Sequence, residues 1–211
     1  MWSVPNLLTI ARVSAVVPVV WAVLHGHWLL AFGLFAAAAL TDFFDGWLAR
    51  RWNQTSAFGR FLDPIADKLM VAAVLVALPA ARLWNPGLCP EMPGVSDSEL
   101  ACVSALPHPS TWASVAILTR ELLVSGLREF VGPLNVVVHV SKAAKWKTAL
   151  QLIAIALVLA GPIGSAATLL LPGRERLVAD AGAALLTASA ILAWLTAWDY
   201  FRAAWPHMRG R

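Results

Sequence analysis

Long apolar stretches separated by short polar connections dominate this chain. A bilayer core about 30 Å thick needs about 20 apolar residues in helical form. The pattern predicts an all-α integral membrane protein with six transmembrane helices. Their approximate limits are Pro5–Leu24, Trp28–Phe44, Asp67–Trp84, Trp112–Val131, Trp146–Pro162 and Leu177–Phe201. Many of the 11 Trp lie near the ends of these stretches, as is typical of side chains at a membrane interface.

The composition agrees with this prediction. Hydrophobic residues make up 59% of the 211 residues, and charged residues make up 13%, roughly half the share in soluble domains. Such a chain is too apolar to be disordered, and we expect one membrane domain over residues 1–211. The first stretch lacks a basic leading region and contains Arg12, so we expect it to be retained rather than cleaved as a signal peptide.

Basic residues predict the orientation in the membrane. They cluster after the second, fourth and sixth stretches: Arg50, Arg51, Arg60 and Lys68; Lys142, Lys145 and Lys147; and Arg202, Arg209 and Arg211. Cytoplasmic segments carry such an excess, so we expect both termini to be cytoplasmic and the 84–111 loop to be extracytoplasmic. Cys89 and Cys102 in that loop could form a disulfide or remain reduced.

Four aspartates flank the connection between the second and third stretches. Asp42 and Asp45 are three residues apart, and Asp63 and Asp67 are four apart, so each pair shares one face of a helix. We expect both pairs at cytoplasmic helix ends. Pro64 suits the first position of a helix, with Asp63 as its cap.

Carboxylates close to the hydrocarbon region are costly and repel one another. Arg50 and Arg51 could offset them alone. A hard divalent cation is the better account, because four carboxylates suit one or two Mg²⁺ or Mn²⁺ ions. Two such ions are suited to stabilising the entering and leaving oxygens of a phosphoryl displacement.

The full spacing of this segment resembles the signature of the CDP-alcohol phosphatidyltransferase family. The signature reads Asp42-x-x-Asp45-Gly46-x-x-Ala49-Arg50, then eight residues, then Gly59-x-x-x-Asp63-x-x-x-Asp67. Further segments are similar to the branch of this family that uses glycerol 3-phosphate. They are Pro5-Asn6-Leu7-Leu8-Thr9 with Arg12, Thr119-Arg120-Glu121 with Leu127-Arg128-Glu129, Lys145-x-Lys147-Thr148, and the run 53–59.

The resemblance implies a homodimer in a bacterial inner membrane, with its active site facing the cytoplasm and no nucleic-acid partner. CDP-diacylglycerol and sn-glycerol 3-phosphate would give phosphatidylglycerophosphate and CMP. The metal ligands for two Mg²⁺ or Mn²⁺ ions would be Asp42, Asp45, Asp63 and Asp67, with Asp67 also the general base. The CDP portion would be held by Gly46, Ala49, Arg50 and Gly59, with Asn6, Thr9 and Ser56 assisting. We expect Gly59 in a turn that requires a left-handed backbone.

Cationic residues further along the chain suit a phosphorylated acceptor. Arg120 and Arg128 are eight residues apart, roughly on one face of the fourth stretch. Lys145 and Lys147 begin the fifth stretch. We assign all four to the acceptor phosphate. Alternatively, the arginines pair with carboxylates such as Glu121 and only stabilise the bundle, and the lysines reflect topology alone.

Three other functions fit parts of the pattern. A sibling transferase could use serine, an inositol phosphate or phosphatidylglycerol as acceptor. A cation transporter could also use intramembrane carboxylates, although such sites lie near the bilayer midplane between repeats. A purely structural membrane subunit would leave the four aspartates without a role.

Overall fold

The computed structural model describes residues 4–52, 57–84, 109–131, 142–162 and 166–208, and every regular element in these ranges is a helix. In chain order they are α1 (Val4–Leu24), α2 (Trp28–Trp52), α3 (Ala57–Trp84), α4 (Pro109–Val131), α5 (Lys142–Ala160), α6 (Ala166–Leu170) and α7 (Glu175–Met208). The all-α prediction is confirmed for these ranges. Cys89 and Cys102 lie outside them.

Two of these helices contain stretches long and apolar enough to cross a bilayer, Leu7–Leu24 in α1 and Arg176–Pro206 in α7. Shorter apolar stretches occupy Trp28–Thr41, Lys68–Ala81 and Lys147–Ala160. Because α2, α3 and α5 continue beyond these stretches, each of the three helices is longer than its apolar stretch.

The helices on either side of the aspartates are longer than the sequence predicted. The second stretch was expected to end at Phe44 and the third to begin at Asp67, but α2 continues to Trp52 and α3 begins at Ala57. The added segments are rich in Ala, Leu and Arg, which favour helix. A helix does not have to end where its apolar surface ends, so apolarity underestimated both lengths.

A tight turn reverses the chain between α1 and α2. The His27 amide donates to the Ala22 carbonyl at 2.8 Å, and the Gly26 amide donates to the Val23 carbonyl at 3.2 Å. These bonds satisfy the last carbonyls of α1 in a Schellman motif, which needs a left-handed residue. Gly26 provides it with a φ of 72°. Therefore α1 and α2 run antiparallel.

Small residues let the helices approach closely. Buried alanines recur on almost every long helix, including Ala31 on α2, Ala154 on α5 and Ala193 on α7. At Gly182 of α7, an added Cβ would lie 2.7 Å from the backbone nitrogen of Val158 in α5. Close packing of this kind is typical of helices that associate without a hydrophobic driving force between them.

The long helices pack in two groups, one around α1 and one around α7. The first helix packs against both α2 and α3, and α7 packs extensively against α4 and α5. On the α4–α7 interface, Trp194 contacts Ala116 and Tyr200 contacts Arg128. Residue numbers rise together on the two helices, so α4 and α7 run parallel.

Candidate functional site

The four aspartates lie at similar distances along two helices that are consecutive in the chain. Asp42 lies ten residues before the end of α2, and Asp67 lies ten residues after the start of α3. Asp45 and Asp63 are seven and six residues from the same limits. With a rise of about 1.5 Å per residue, the four backbone positions lie roughly 9–15 Å from the α2–α3 connection. Their side chains lie outside the described residues.

Two local predictions about this segment are wrong. Asp63 does not cap a helix, because α3 begins six residues earlier at Ala57 and contains Pro64 as well. Gly59 is likewise helical, and the described glycines with positive φ are Gly26 and Gly173. Both predictions placed the helix start at the proline, whereas helical structure already precedes it.

The residues expected to hold CDP are distributed over three helices. The helix α2 contains Gly46, Ala49 and Arg50, and α1 contains Asn6 and Thr9. Only Thr9 among them has a described side chain, and it is buried, with an exposed fraction of 2%. Ser56 lies outside the described residues.

Buried polar residues of α1 lie at the depth of the aspartates. Thr9 is fifteen residues before the end of α1, and Phe43 is fifteen residues after the start of antiparallel α2. Arg12, one turn further along α1, is also buried. Arg12 therefore places a buried positive charge about one helical turn beyond the level of Thr9, a feature that was not predicted from the sequence.

A hydrogen bond connects the aspartate-bearing helix α3 to α4. The Nζ of Lys68 donates to the Oγ of Ser125 at 2.5 Å. Lys68 directly follows Asp67, and Ser125 lies six residues before the end of α4. The start of α3 and the end of α4 therefore meet at one end of the bundle, which we call the site end.

Three charged side chains from two helices form an ion-pair network at the site end. The Nη1 of Arg120 donates to the Oε1 of Glu121 at 3.0 Å, and the Nζ of Lys147 donates to the same oxygen. Arg120 and Lys147 are each 5% exposed, so Glu121 compensates two buried positive charges. Such a network is costly to form and costly to disrupt.

Two groups on α7 complete the surroundings of Arg120. Its Nε donates to the carbonyl of Ala193 at 2.8 Å, and its Nη2 donates to the Oγ1 of Thr196 at 3.0 Å. The guanidinium plane is thus fixed from two helices. Arg120 thus pairs with Glu121, as the alternative interpretation of the sequence expected, and it also makes contacts to α7 that orient its guanidinium.

Arg128 lies about two turns beyond Arg120 on the same face of α4 and contacts the aromatic ring of Tyr200. Its Cζ is 5.8 Å from the ring centroid, and its Nη2 donates to the tyrosine hydroxyl at 3.4 Å. Arg128 itself is exposed, whereas Tyr200 is 9% exposed. The side chain of Lys145 lies outside the described residues, although its backbone lies in the first turn of α5, two residues before Lys147.

Three contact residues at the site end were not predicted from the sequence: Ser125, Thr196 and Tyr200. Each is a common residue type with no motif of its own. Helical spacing could have identified Ser125, because it lies one turn from Glu121 and one turn from Arg128 on α4. The partners on α7 had no such signal, because only tertiary packing brings them to α4.

This fold and site define a class: a helical bundle with four aspartates on two consecutive helices, and with a cluster of cations from α3, α4 and α5 at one end. The CDP-alcohol phosphatidyltransferase family model matches residues 2–198. The chain belongs to the CDP-alcohol phosphatidyltransferase family.

Two bacterial relatives are similar over almost their full length, and a plant relative is similar over part of its length. A CDP-diacylglycerol–glycerol-3-phosphate 3-phosphatidyltransferase of Cereibacter sphaeroides is 36% identical, with 99% of this chain and 98% of the relative covered. One of the same name from Rickettsia bellii is 38% identical, covering 95% and 94%. A cardiolipin synthase (CMP-forming) of Oryza sativa subsp. japonica is 37% identical over 96% of this chain and 57% of the relative.

Proposed function

We propose that this chain transfers the phosphatidyl group of CDP-diacylglycerol to sn-glycerol 3-phosphate, giving phosphatidylglycerophosphate and CMP. The observation that carries this proposal is the near full-length similarity to bacterial relatives named for that activity. The cationic network on α4 and α5 supports a phosphorylated acceptor, because a dianionic phosphate needs positive charge in an otherwise apolar bundle.

The donor set on α2 and α3 fits divalent metal ions. It consists of carboxylate oxygens alone, which are the ligands that Mg²⁺ and Mn²⁺ prefer. Two such ions would be held by Asp42, Asp45, Asp63 and Asp67. Bound there, the metal ions would offset the negative charge of the pyrophosphate of CDP-diacylglycerol.

Asp67 acts as the general base in this mechanism. It accepts the proton of the acceptor hydroxyl while that oxygen forms a bond to the phosphatidyl phosphorus of the donor. The bond from this phosphorus to the CMP oxygen breaks, and CMP leaves. An ionised carboxylate held near the hydroxyl can do this at neutral pH. Direct transfer requires no phosphatidyl-enzyme intermediate.

The substrates are held by different parts of the chain. The CDP portion lies against three small residues that let a ligand approach the helix backbone: Gly46, Ala49 and Gly59. Arg50 binds a phosphate of the donor. Asn6, Thr9 and Ser56 assist in holding the CDP portion. The acceptor phosphate is bound by Arg120, Arg128, Lys145 and Lys147. Glu121 keeps two of these cations in place before the acceptor binds.

The protein functions as one membrane domain over residues 1–211. Val17, Leu122 and Leu195 are 73%, 76% and 63% exposed, and lipid contact accounts for so much uncovered apolar surface. Six helices cross a bacterial inner membrane, with both termini and the active site in the cytoplasm and the 84–111 loop outside. The family resemblance supports a homodimer.

An assay of CMP release tests this function. The purified protein in detergent receives CDP-diacylglycerol with glycerol 3-phosphate, serine, inositol phosphate, phosphatidylglycerol or no acceptor. Each mixture contains Mg²⁺, Mn²⁺ or a chelator. We expect release with glycerol 3-phosphate and a metal ion, and loss of release with the chelator. Release without metal would contradict the mechanism, and absence of release from a folded protein would favour the transporter.

A second candidate acceptor is phosphatidylglycerol, which the similarity to the cardiolipin synthase of rice favours. The same assay separates the two. Metal-dependent CMP release with phosphatidylglycerol and none with glycerol 3-phosphate would retain the mechanism and replace the acceptor.

A further inference from the structure

Lys68 differs from the other cations of the site end in its surroundings. Arg120 and Lys147 are buried and share the carboxylate of Glu121. Lys68 is exposed, and its polar partner among the described side chains is the neutral hydroxyl of Ser125. Lys68 also lies within electrostatic reach of Glu121. Three cations then surround one carboxylate, and this excess of positive charge is available to an incoming anion.

The position of Lys68 matches the size of the proposed acceptor. In glycerol 3-phosphate, three carbons separate the phosphate from the hydroxyl at the other end. A cation that binds the phosphate must therefore lie close to the base that accepts the hydroxyl proton. Lys68 follows that base, Asp67, in the sequence, so their Cα atoms are about 3.8 Å apart. The long lysine side chain can therefore reach the phosphate of an acceptor whose hydroxyl lies at Asp67.

Ser125 places the Lys68 ammonium between the Glu121 network and Arg128. It follows Glu121 by four residues and precedes Arg128 by three, so the three share one face of α4. The hydrogen bond from Lys68 brings a charge from α3 into the gap between the Glu121 network and Arg128.

We propose that Lys68 binds the phosphate of the acceptor directly and that Ser125 is its positioning residue. This inference rests on the proposed function. It extends the acceptor site from α4 and α5 to α3, the helix that carries the general base. Two consecutive residues of α3 would then hold the two ends of the acceptor, Asp67 at the hydroxyl and Lys68 at the phosphate.

The test compares Lys68→Met with Arg202→Gln, which removes an exposed charge from α7 near the site end. CMP release gives the KM for each substrate and the Ki of inorganic phosphate as a competitive inhibitor against glycerol 3-phosphate. We expect Lys68→Met to raise the acceptor KM and the phosphate Ki about tenfold, the effect of losing one charge-assisted hydrogen bond. The donor KM should change less than about twofold, and Arg202→Gln should change neither constant.

Equal changes in both KM values would overturn the proposal, as would a fall in kcat alone. Lys68→Arg should retain most of the acceptor affinity. Ser125→Ala should raise the acceptor KM and the phosphate Ki about threefold, and Ser125→Thr should restore both. If Lys68→Met does not fold, the comparison of Ser125→Ala with Ser125→Thr tests the proposal instead. An unchanged phosphate Ki in Ser125→Ala would then overturn it.

The wild-type protein separates this inference from the proposed function. Wild-type protein that releases no CMP with glycerol 3-phosphate would overturn both. Activity of the wild type with that acceptor, combined with unchanged acceptor constants in Lys68→Met, would overturn the assignment of Lys68 alone.

Discussion

The acidic and basic parts of the site end are built in different ways. The acidic part consists of four aspartates within residues 42–67, on two helices joined by a short connection. The basic part combines α3, α4, α5 and α7, and its contacts join residues as far apart as Arg120 and Thr196. Local spacing thus determines the proposed metal ligands, whereas tertiary packing determines the proposed acceptor site.

The two parts also differ in charge compensation. The basic part contains its own counter-ion, because Glu121 pairs with Arg120 and Lys147. The acidic part concentrates carboxylates that require cations from elsewhere. Changes in the acidic part should therefore affect the chemical step, and changes in the basic part should affect acceptor affinity and stability.

The largest expected effect comes from Asp67→Asn. The amide keeps the shape of the side chain but cannot accept the hydroxyl proton, so kcat should fall about 10²- to 10⁴-fold. CMP release under saturating substrates measures it. Asp180→Asn is the matched control, because Asp180 is an exposed aspartate near the other end of α7. Equal activity of both variants would show that Asp67 is not the base.

A smaller effect is expected from Glu121→Gln. Gln retains a hydrogen-bonding oxygen but removes the charge that compensates two buried cations, which should cost about 1–3 kcal/mol. The melting temperature should fall by about 2–10 °C, and the acceptor KM should rise. Thermal unfolding in detergent and CMP release measure the two effects.

Glu129→Gln is the control for this change, since Glu129 is an exposed glutamate on the same helix. It should leave both quantities unchanged. A Glu121→Gln variant as stable as wild type would mean that Arg120 and Lys147 do not depend on this carboxylate.

This contrast explains what the sequence could predict. The lengths of the apolar stretches predicted the six long helices of the described ranges, and the Asp spacing marked α2 and α3, because both signals are local. The helix limits near Asp63 were missed because helical structure extends past the apolar surface. Ser125 and Tyr200 were missed because their importance depends on helices that approach only in the folded bundle.

Tyr200 allows the basic part to be examined contact by contact. Tyr200→Phe removes the hydroxyl at 3.4 Å from Arg128 but keeps the ring, whereas Tyr200→Leu removes both. We expect the acceptor KM to rise about twofold in the first variant and about fivefold in the second, because the ring holds the guanidinium. Equal effects would assign the contact to the hydroxyl instead. The donor KM is the internal control.

The smallest effect is expected from Trp194→Phe, which tests whether the α4–α7 interface acts on the site as a whole. The Nε1 of Trp194 donates to the carbonyl of Ala116 at 3.0 Å, on the side of Arg120 away from Arg128. Losing this bond should cost about 0.5–1.5 kcal/mol and lower the melting temperature by a few degrees. Both KM values should stay unchanged, because the variant leaves Arg128 and Tyr200 in place. A rise in the acceptor KM would instead mean that the two helices shift together, so that the effects of Tyr200 variants would reflect packing rather than a local contact.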